Sequence, residues 1–256
     1  MQKLLPFIPT GARALDAMLG GGARAGFVTD FYGESGSGKS QLCFSLCASC
    51  ARAGGRAMFI DTAGTFRPER IVEMAGKEDG GSSGNVLDRI AFVRALGTAD
   101  QLAAVERAKG MDLQLLIVDT LTSLFSAEYS GPARHLAVMS HLHDLAVYAI
   151  TSGCAVVVTN MVRNVPVAYD EEAQQQRRQW QGSSPTTPTS IQREYLGSSV
   201  SLYSHVRVRL SIEDPARGAF RATPVQPPPS PQAGGGGGGG EAALFSITTS
   251  GIQDRQ

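Results

Sequence analysis

Gly33-Glu34-Ser35-Gly36-Ser37-Gly38-Lys39-Ser40 is the stretch from which the rest of the chain is read. It fits the pattern G-x-x-x-x-G-K-[ST], and its neighbours supply the setting that pattern needs. The β-rich run Gly26-Phe27-Val28-Thr29-Asp30-Phe31-Tyr32 precedes it. From Gln41 to Ala53 the apolar residues fall at helical spacing, with Leu42, Leu46 and Cys50 on one face. A glycine-rich turn between strand and helix points several backbone N–H groups inward, and the helix adds its positive N-terminal end, so the stretch reads as a phosphate-binding loop. Lys39 would reach the β and γ phosphates, and Ser40 would ligate Mg²⁺.

Composition sets the frame around this loop. The chain has 256 residues, 42% hydrophobic and 18% charged, with a net charge of zero. That describes a globular chain, read as one domain over 1–256, with no whole-molecule attraction to nucleic acid. Any grip on a phosphate backbone must come from local basic clusters. No apolar run approaches the roughly 20 residues that span a bilayer, and Met1-Gln2-Lys3-Leu4-Leu5-Pro6 lacks the pattern of a signal peptide, so the expectation is an intracellular protein with no membrane partner. Cys43, Cys47 and Cys50 share one helix face, and Cys47 and Cys50 form C-x-x-C. No second pair or nearby histidine joins them or Cys154 to complete a zinc set, so they are expected to pack as small apolar residues. His135, His141, His143 and His205 are expected to be solvated or packing residues.

Strands and helices alternate along the chain. Residues 1–25 form a lead-in whose short amphipathic helix ends at Gly20-Gly21-Gly22. Ala57 to Asp61 reads as a buried strand, Pro68-Glu69 as a helix start, residues 76–85 as a loop, and Ile90 to Arg94 as another strand. A helix follows from Thr98, with Thr98-x-x-Gln101 as a capping box, to Gly110. Leu115-Leu116-Ile117-Val118-Asp119 is a large apolar run ending in an acid, as expected of a central parallel strand whose tip faces the phosphate loop. Asp119 is therefore the second candidate for holding Mg²⁺. Arg134 to Ser152 reads as a helix with Met139, Leu142, Ala146 and Ile150 inward, followed by the strand Ala155 to Asn160. The pattern predicts an α/β fold with a mostly parallel sheet, helices on both faces, and ligand at the C-terminal strand ends.

Beyond residue 162 the composition turns polar, and 163–195 reads as a long mobile loop carrying one tryptophan, Trp180. Leu202 to Ile212 and Ala219 to Val225 read as a hairpin about Asp214-Pro215-Ala216-Arg217-Gly218, extending the sheet antiparallel at its edge. Residues 226–241 form a Pro/Gly linker, and Ala243 to Thr248 a last strand.

Taken together these motifs resemble the RecA-type recombinases, in particular the RadA branch. Thr10-Gly11 with Leu15-Asp16 and Leu19 to Gly22 is similar to that family's opening segment. Asp61-Thr62-Ala63-Gly64-Thr65-Phe66-Arg67-Pro68-Glu69-Arg70 resembles its D-T-E-G-T-F-R-P-E-R, Glu128 to Gly131 lies where the first DNA-binding loop would be, and Asn160-Met161-Val162 resembles the N-Q-V that opens the second. With no helical domain ahead of this core, the chain looks most like the short RadB paralogues of archaea. The resemblance implies a RecA-like P-loop NTPase core binding ATP and Mg²⁺ through Gly33 to Ser40 and Asp119, with Arg70 stacking on adenine.

Departures from the family pattern shape the expected activity. Ala63 replaces the glutamate that activates water, and Met161 replaces the glutamine that senses the γ-phosphate; Ser126 and Pro132 stand where RadA-like proteins have arginines. The F-x-x-A segment that links subunits has no counterpart before Thr10, so long filaments are not expected. The resemblance therefore implies an ATP-binding paralogue that assists recombination and repair beside a RadA-like recombinase or another repair protein, with slow hydrolysis. Arg163, Arg177, Arg178, Trp180 and Arg193 are the candidates for contacting single-stranded DNA, combining cations with one ring able to stack on an unpaired base. Two other readings stand beside it: a nucleotide-gated interaction module without DNA contact, and a KaiC-like ATPase. Location would be cytoplasmic, with the nucleoid, in an archaeon and nuclear in a eukaryote.

Overall fold

In the computed structural model, which describes residues 5–76, 84–166, 190–194, 196–227 and 241–255, the phosphate-loop strand lies inside a ten-stranded sheet. A small ribbon of β1 (Phe7–Ile8) and β2 (Ala23–Arg24) brackets α1 (Arg13–Met18). The chain then runs through β3 (Val28–Gly33), α2 (Lys39–Arg52), β4 (Ala57–Asp61), α3 (Pro68–Ala75), the short α4 (Gly84–Leu87) and β5 (Ile90–Arg94). Next come α5 (Thr98–Lys109), β6 (Leu115–Asp119), α6 (Ser123–Glu128), α7 (Gly131–Ser152), β7 (Ala155–Pro166), β8 (Ser190–Glu194) and α8 (Gly197–Ser201). It closes with β9 (Val206–Asp214), β10 (Ala219–Gln226), β11 (Ala243–Thr248) and β12 (Gly251–Asp254). The strand order is β12-β11-β10-β9-β3-β7-β6-β4-β5. From β5 across to β9 every pairing is parallel; from β9 to β12 every pairing is antiparallel.

Alternation along the central strands builds two cores. Phe31, Phe59, Leu115, Ile117 and Val157 join the core under α2, α3 and α4, while Met58, Ile60, Leu116, Val118, Val156 and Val158 join the one under α5 and α7. Strands covered on both faces have no polar side to show, which is why β4 and β6 read as unbroken apolar runs. The same burial explains the cysteines: Cys43, Cys47 and Cys50 lie in the first core and Cys154 in the second, all as free thiols. Burial pushes the Cys50 and Cys154 thiols up to about 12, so they are protonated packing groups.

Four expectations need correcting. The capping box at Thr98 does not form; Glu128, thirty residues on, accepts from the backbone N–H of Thr98 at 2.9 Å and from its hydroxyl, while Gln101 is buried and donates to the Leu121 carbonyl at 3.0 Å. α7 begins at Gly131, because Pro132 is tolerated in a first helical turn, and Ile150 faces outward at 64% exposure while Val138, Leu142, Leu145 and Ala149 point in. β7 runs on past Asn160 to Pro166 and pairs antiparallel with β8, so the ends of the expected 163–195 loop are a ribbon. The C-terminal hairpin starts at Val206, with Leu202 exposed at the end of α8, and its first strand lies parallel to β3 within the main sheet.

The lead-in is stitched to the fold. Thr10 donates its N–H and its hydroxyl to Asp16 Oδ1, both at 2.7 Å, and its carbonyl accepts from Ser45 of α2 at 2.6 Å. Ala14 N–H donates to Asp254 of β12 at 2.8 Å, which joins the two ends of the described chain.

His141 carries a consequence for stability. Its ring is 1% exposed, between Phe125 and the Gln101 amide, and burial pushes its pKa down to about 4. An unfolded chain takes up this proton near pH 6.5, so the stability held above that pH is lost as the pH falls from 6.5 toward 4. At pH 5 the loss from this one group is about 2 kcal/mol, from about 1.5 pH units at 1.36 kcal/mol each. Urea denaturation at pH 7.5 and 5.0 of wild type and His141→Phe checks it, since the difference between the two proteins cancels every other titrating group. Parallel pH dependences would overturn the assignment.

Candidate nucleotide site

The phosphate loop closes tightly against the C-terminal strands. Gly38, at φ +90°, is the N-cap of α2, and a Cβ there would strain the backbone and meet Ile247 of β11 at 2.7 Å. At Gly33 a Cβ would come within 2.1 Å of the Leu210 carbonyl on β9, so neighbouring backbone as well as loop shape demands glycine. Lys39 turns back onto this loop. Its ammonium donates to the Gly33 and Glu34 carbonyls at 2.9 and 2.6 Å and to Ser37 Oγ at 3.3 Å. Burial lowers its pKa, and the nearby Asp119 carboxylate works against that shift.

Asp119 ends β6 two strand positions from the loop, because β7 lies between β6 and β3. Three hydroxyls converge on it. Ser40 Oγ donates to its Oδ2 at 2.6 Å, Thr65 Oγ1 to the same oxygen at 3.1 Å, and Thr159 on β7 to Oδ1. The sequence therefore brings Lys39, Ser40 and Asp119 together as expected, although 79 residues separate the last two.

Residues 62–66 pass beside this carboxylate, and Asp61 shapes them. Its Oδ1 accepts from the N–H groups of Ala63, Gly64 and Thr65 at 3.0, 2.7 and 3.2 Å, and its Oδ2 from that of Phe66 at 3.2 Å. Arg94 pairs with it at 3.0 Å. The loop's path is thus set by backbone donors and a buried acid, independently of the side chain at 63. Ala63 itself is exposed.

Arg70 on α3 reaches the first turn of the phosphate-loop helix. Its Nε and Nη2 donate to Gln41 Oε1 at 3.2 and 3.1 Å, its Nη2 and Nη1 to the carbonyls of Thr248 and Thr249 at 2.9 and 3.1 Å, and Nη1 also meets Glu73. Gln41, Ile247, Thr248 and Thr249 are parts of this site that sequence reasoning missed. No local signal marks them, because the contacts to Thr248 and Thr249 span 178 and 179 residues.

The DNA candidates divide. Arg163 is exposed on β7 and lines a cleft of about 460 Å³ with Tyr32, His135, Glu194 and Arg209. Arg193 lies on β8, and Arg177, Arg178 and Trp180 fall outside the described residues. Beneath the cleft sits a buried ionic group. Arg207 on β9 donates from Nε to Asp30 Oδ2 at 3.3 Å and from Nη2 to Glu194 Oε2, its guanidinium lies 5.2 Å from the Tyr32 ring centre, and Asn160 Nδ2 donates to Glu194 Oε1 at 3.1 Å. Burial, then the neighbouring Glu194, pushes the Asp30 carboxyl well above the usual carboxylate range. Glu194 thereby anchors the return strand of the ribbon to the sheet.

Among the described residues there is no cluster of three or more His, Cys, Asp or Glu side chains that could hold a metal, and no helix long and apolar enough to cross a membrane. The hydroxyl of Ser40 against the carboxylate of Asp119 is nevertheless a donor set that fits Mg²⁺, a hard ion that takes one or two protein oxygens beside phosphate and keeps several waters.

Comparison with known proteins bears on this geometry. The family profile described as Rad51 matches residues 2–255. The DNA repair and recombination protein RadA of Metallosphaera sedula is 41% identical over 174 residues, covering 62% of this chain and 53% of that protein. The DNA repair protein RAD51 homolog 1 of Arabidopsis thaliana is 38% identical over 169 residues, covering 60% of this chain and 49% of that protein. The chain spans about half the length of these relatives.

Proposed function

Because the chain belongs to the Rad51 family, we propose that it is an ATP-binding recombinase paralogue that assists homologous recombination and DNA repair while hydrolysing ATP slowly. The observation that carries this reading is that Lys39, Ser40 and Asp119 converge, as phosphate and Mg²⁺ would require, while the adjoining loop presents Ala63 where the resemblance implies the water-activating glutamate. Lys39 would leave its own loop carbonyls for the β and γ phosphates, and the inward N–H groups of the loop would hold the remaining oxygens. Ser40 and Asp119 would hold Mg²⁺, which when bound neutralises charge on the phosphate oxygens. Arg70, a planar cation fixed through its edge by Gln41, Thr248 and Thr249, would stack on the adenine. Alanine neither accepts a proton nor orients a water, so turnover is slow.

The proposed partners follow from the same family. Single-stranded DNA would lie along the β7–β8 ribbon that carries Arg163 and Arg193, with Arg177, Arg178 and Trp180, outside the described residues, as the further candidates from sequence, and a RadA-like recombinase or another repair protein would perform the strand exchange. The test begins with a fluorescent N-methylanthraniloyl ATP analogue (mant-ATP) and Mg²⁺. Lys39→Ala should weaken its binding by at least about tenfold, the loss of a charge-assisted contact of 1.5–3 kcal/mol. Equal binding by wild type and variant would overturn the nucleotide reading.

A further inference from the structure

We propose that Thr65 is a positioning residue of this nucleotide site, its hydroxyl holding the Oδ2 of Asp119 toward Ser40; the inference rests on the Mg²⁺-nucleotide reading above. Two donors grip the Asp119 carboxylate at opposite ends. Thr159 from β7 takes Oδ1, and Thr65 takes Oδ2 at 3.1 Å. Together they fix the rotation of the carboxylate plane, and Ser40 meets the same Oδ2 at 2.6 Å. Once the Ser40 oxygen is turned to a metal ion, Thr65 is the remaining hydroxyl of the three that orients Oδ2.

Thr65 can do this because it cannot drift. Its backbone N–H is bound to Asp61 Oδ1 at 3.2 Å, its neighbours Gly64 and Phe66 to the two oxygens of the same acid at 2.7 and 3.2 Å, and Arg94 clamps that acid at 3.0 Å. The Phe66 ring that follows is stacked on Phe92 at 4.3 Å between centroids. A rigid loop thus presents a hydroxyl to a ligand oxygen on another strand, the arrangement by which outer partners set the orientation and affinity of a metal's direct ligands.

A purely structural Thr65 would affect folding and leave the metal response alone, so the test reads the metal. Mg²⁺ is titrated into the full chain with mant-ATP, following nucleotide fluorescence. Thr65→Val keeps the shape and removes the hydroxyl; it should raise the Mg²⁺ concentration at half-maximal signal by about tenfold, the lower end of the 10–100-fold lost with outer partners. Thr65→Ser restores the hydroxyl and should return that midpoint to within about twofold of wild type. Nucleotide binding in EDTA should be the same for all three. Thr65→Ala serves as a second deletion should the valine variant fold poorly. An unshifted midpoint in a folded valine or alanine variant overturns the role of Thr65 alone. A wild-type signal that ignores Mg²⁺ or survives Lys39→Ala overturns the nucleotide reading, and this inference with it.

Discussion

Ala63→Glu is expected to raise the rate of ATP hydrolysis by about 10²-fold, the lower end of what a general base contributes. The loop is built to receive the change. Asp61 gathers the N–H groups of residues 63 to 66, so the backbone path owes nothing to the side chain at 63, and Ala63 is exposed, so a longer side chain meets no packed neighbour. What the wild type lacks in this reading is one proton acceptor beside an otherwise assembled site. Phosphate release under single-turnover conditions measures the gain, with Ala63→Gln as the variant that matches size but takes no proton. The gain should vanish on adding Lys39→Ala. If Ala63→Glu binds Mg²⁺-ATP as wild type does and hydrolyses it no faster, the reading of Ala63 as a missing proton acceptor is overturned.

Replacing Arg207 with methionine is expected to destabilise the fold by about 3 kcal/mol, at the low end of the 3–5 kcal/mol that follows when one partner of a buried pair is removed. Among the described residues Arg207 is the cation that pairs with both Asp30 and Glu194, with side chains 8%, 0% and 10% exposed respectively. Asp30 offsets part of the loss. Its carboxyl is already held well above the ordinary range by burial, so it can take a proton rather than remain a bare charge. Glu194 keeps the amide of Asn160 but loses its counter-ion. Adding Asp30→Asn and Glu194→Gln to Arg207→Met should recover much of the stability, whereas Arg207→Lys should recover little, because a lysine lacks the planar fork that reaches two carboxylates at once. Urea denaturation at pH 7.5 reads the three variants beside wild type. A loss below about 1 kcal/mol in the single variant would mean that the ionic group does not hold the ribbon to the sheet.

The residues that could be assigned from sequence were those whose role is fixed by near neighbours. Gly33 to Ser40 declared a phosphate loop because its glycines, lysine and serine sit within eight positions between a strand and a helix. The apolar runs of β4 and β6 declared parallel strands covered on both faces, and an acid closing such a run declared Asp119. Strand period, loop chemistry and helix starts are all local properties of the backbone, and local spacing is enough to state them.

The rest waited on which strand lies beside which. Helical spacing placed Ile150 inward because an apolar-rich helix offers more than one plausible face, and only the packing of Val138, Leu142, Leu145 and Ala149 against the sheet selected the true one. The N-terminus of α5 found its acceptor in Glu128 instead of Gln101, since the two oxygens of that carboxyl take both the N–H and the hydroxyl of Thr98 and Gln101 is drawn to the Leu121 carbonyl. Arg70 met Thr248 and Thr249, Gly38 met Ile247, and Arg207 met Asp30 across 177 residues, because the strand order sets β9 beside β3 and the C-terminal strands beside the phosphate loop. By itself the sequence determined the class of the fold and the glycine-rich turn of Gly33 to Ser40 between strand and helix, since both are written in spacings of a few residues. The tertiary structure alone decided which distant side chains complete the site and which charges are buried together, because those follow from the order of strands in the sheet, which no local period encodes.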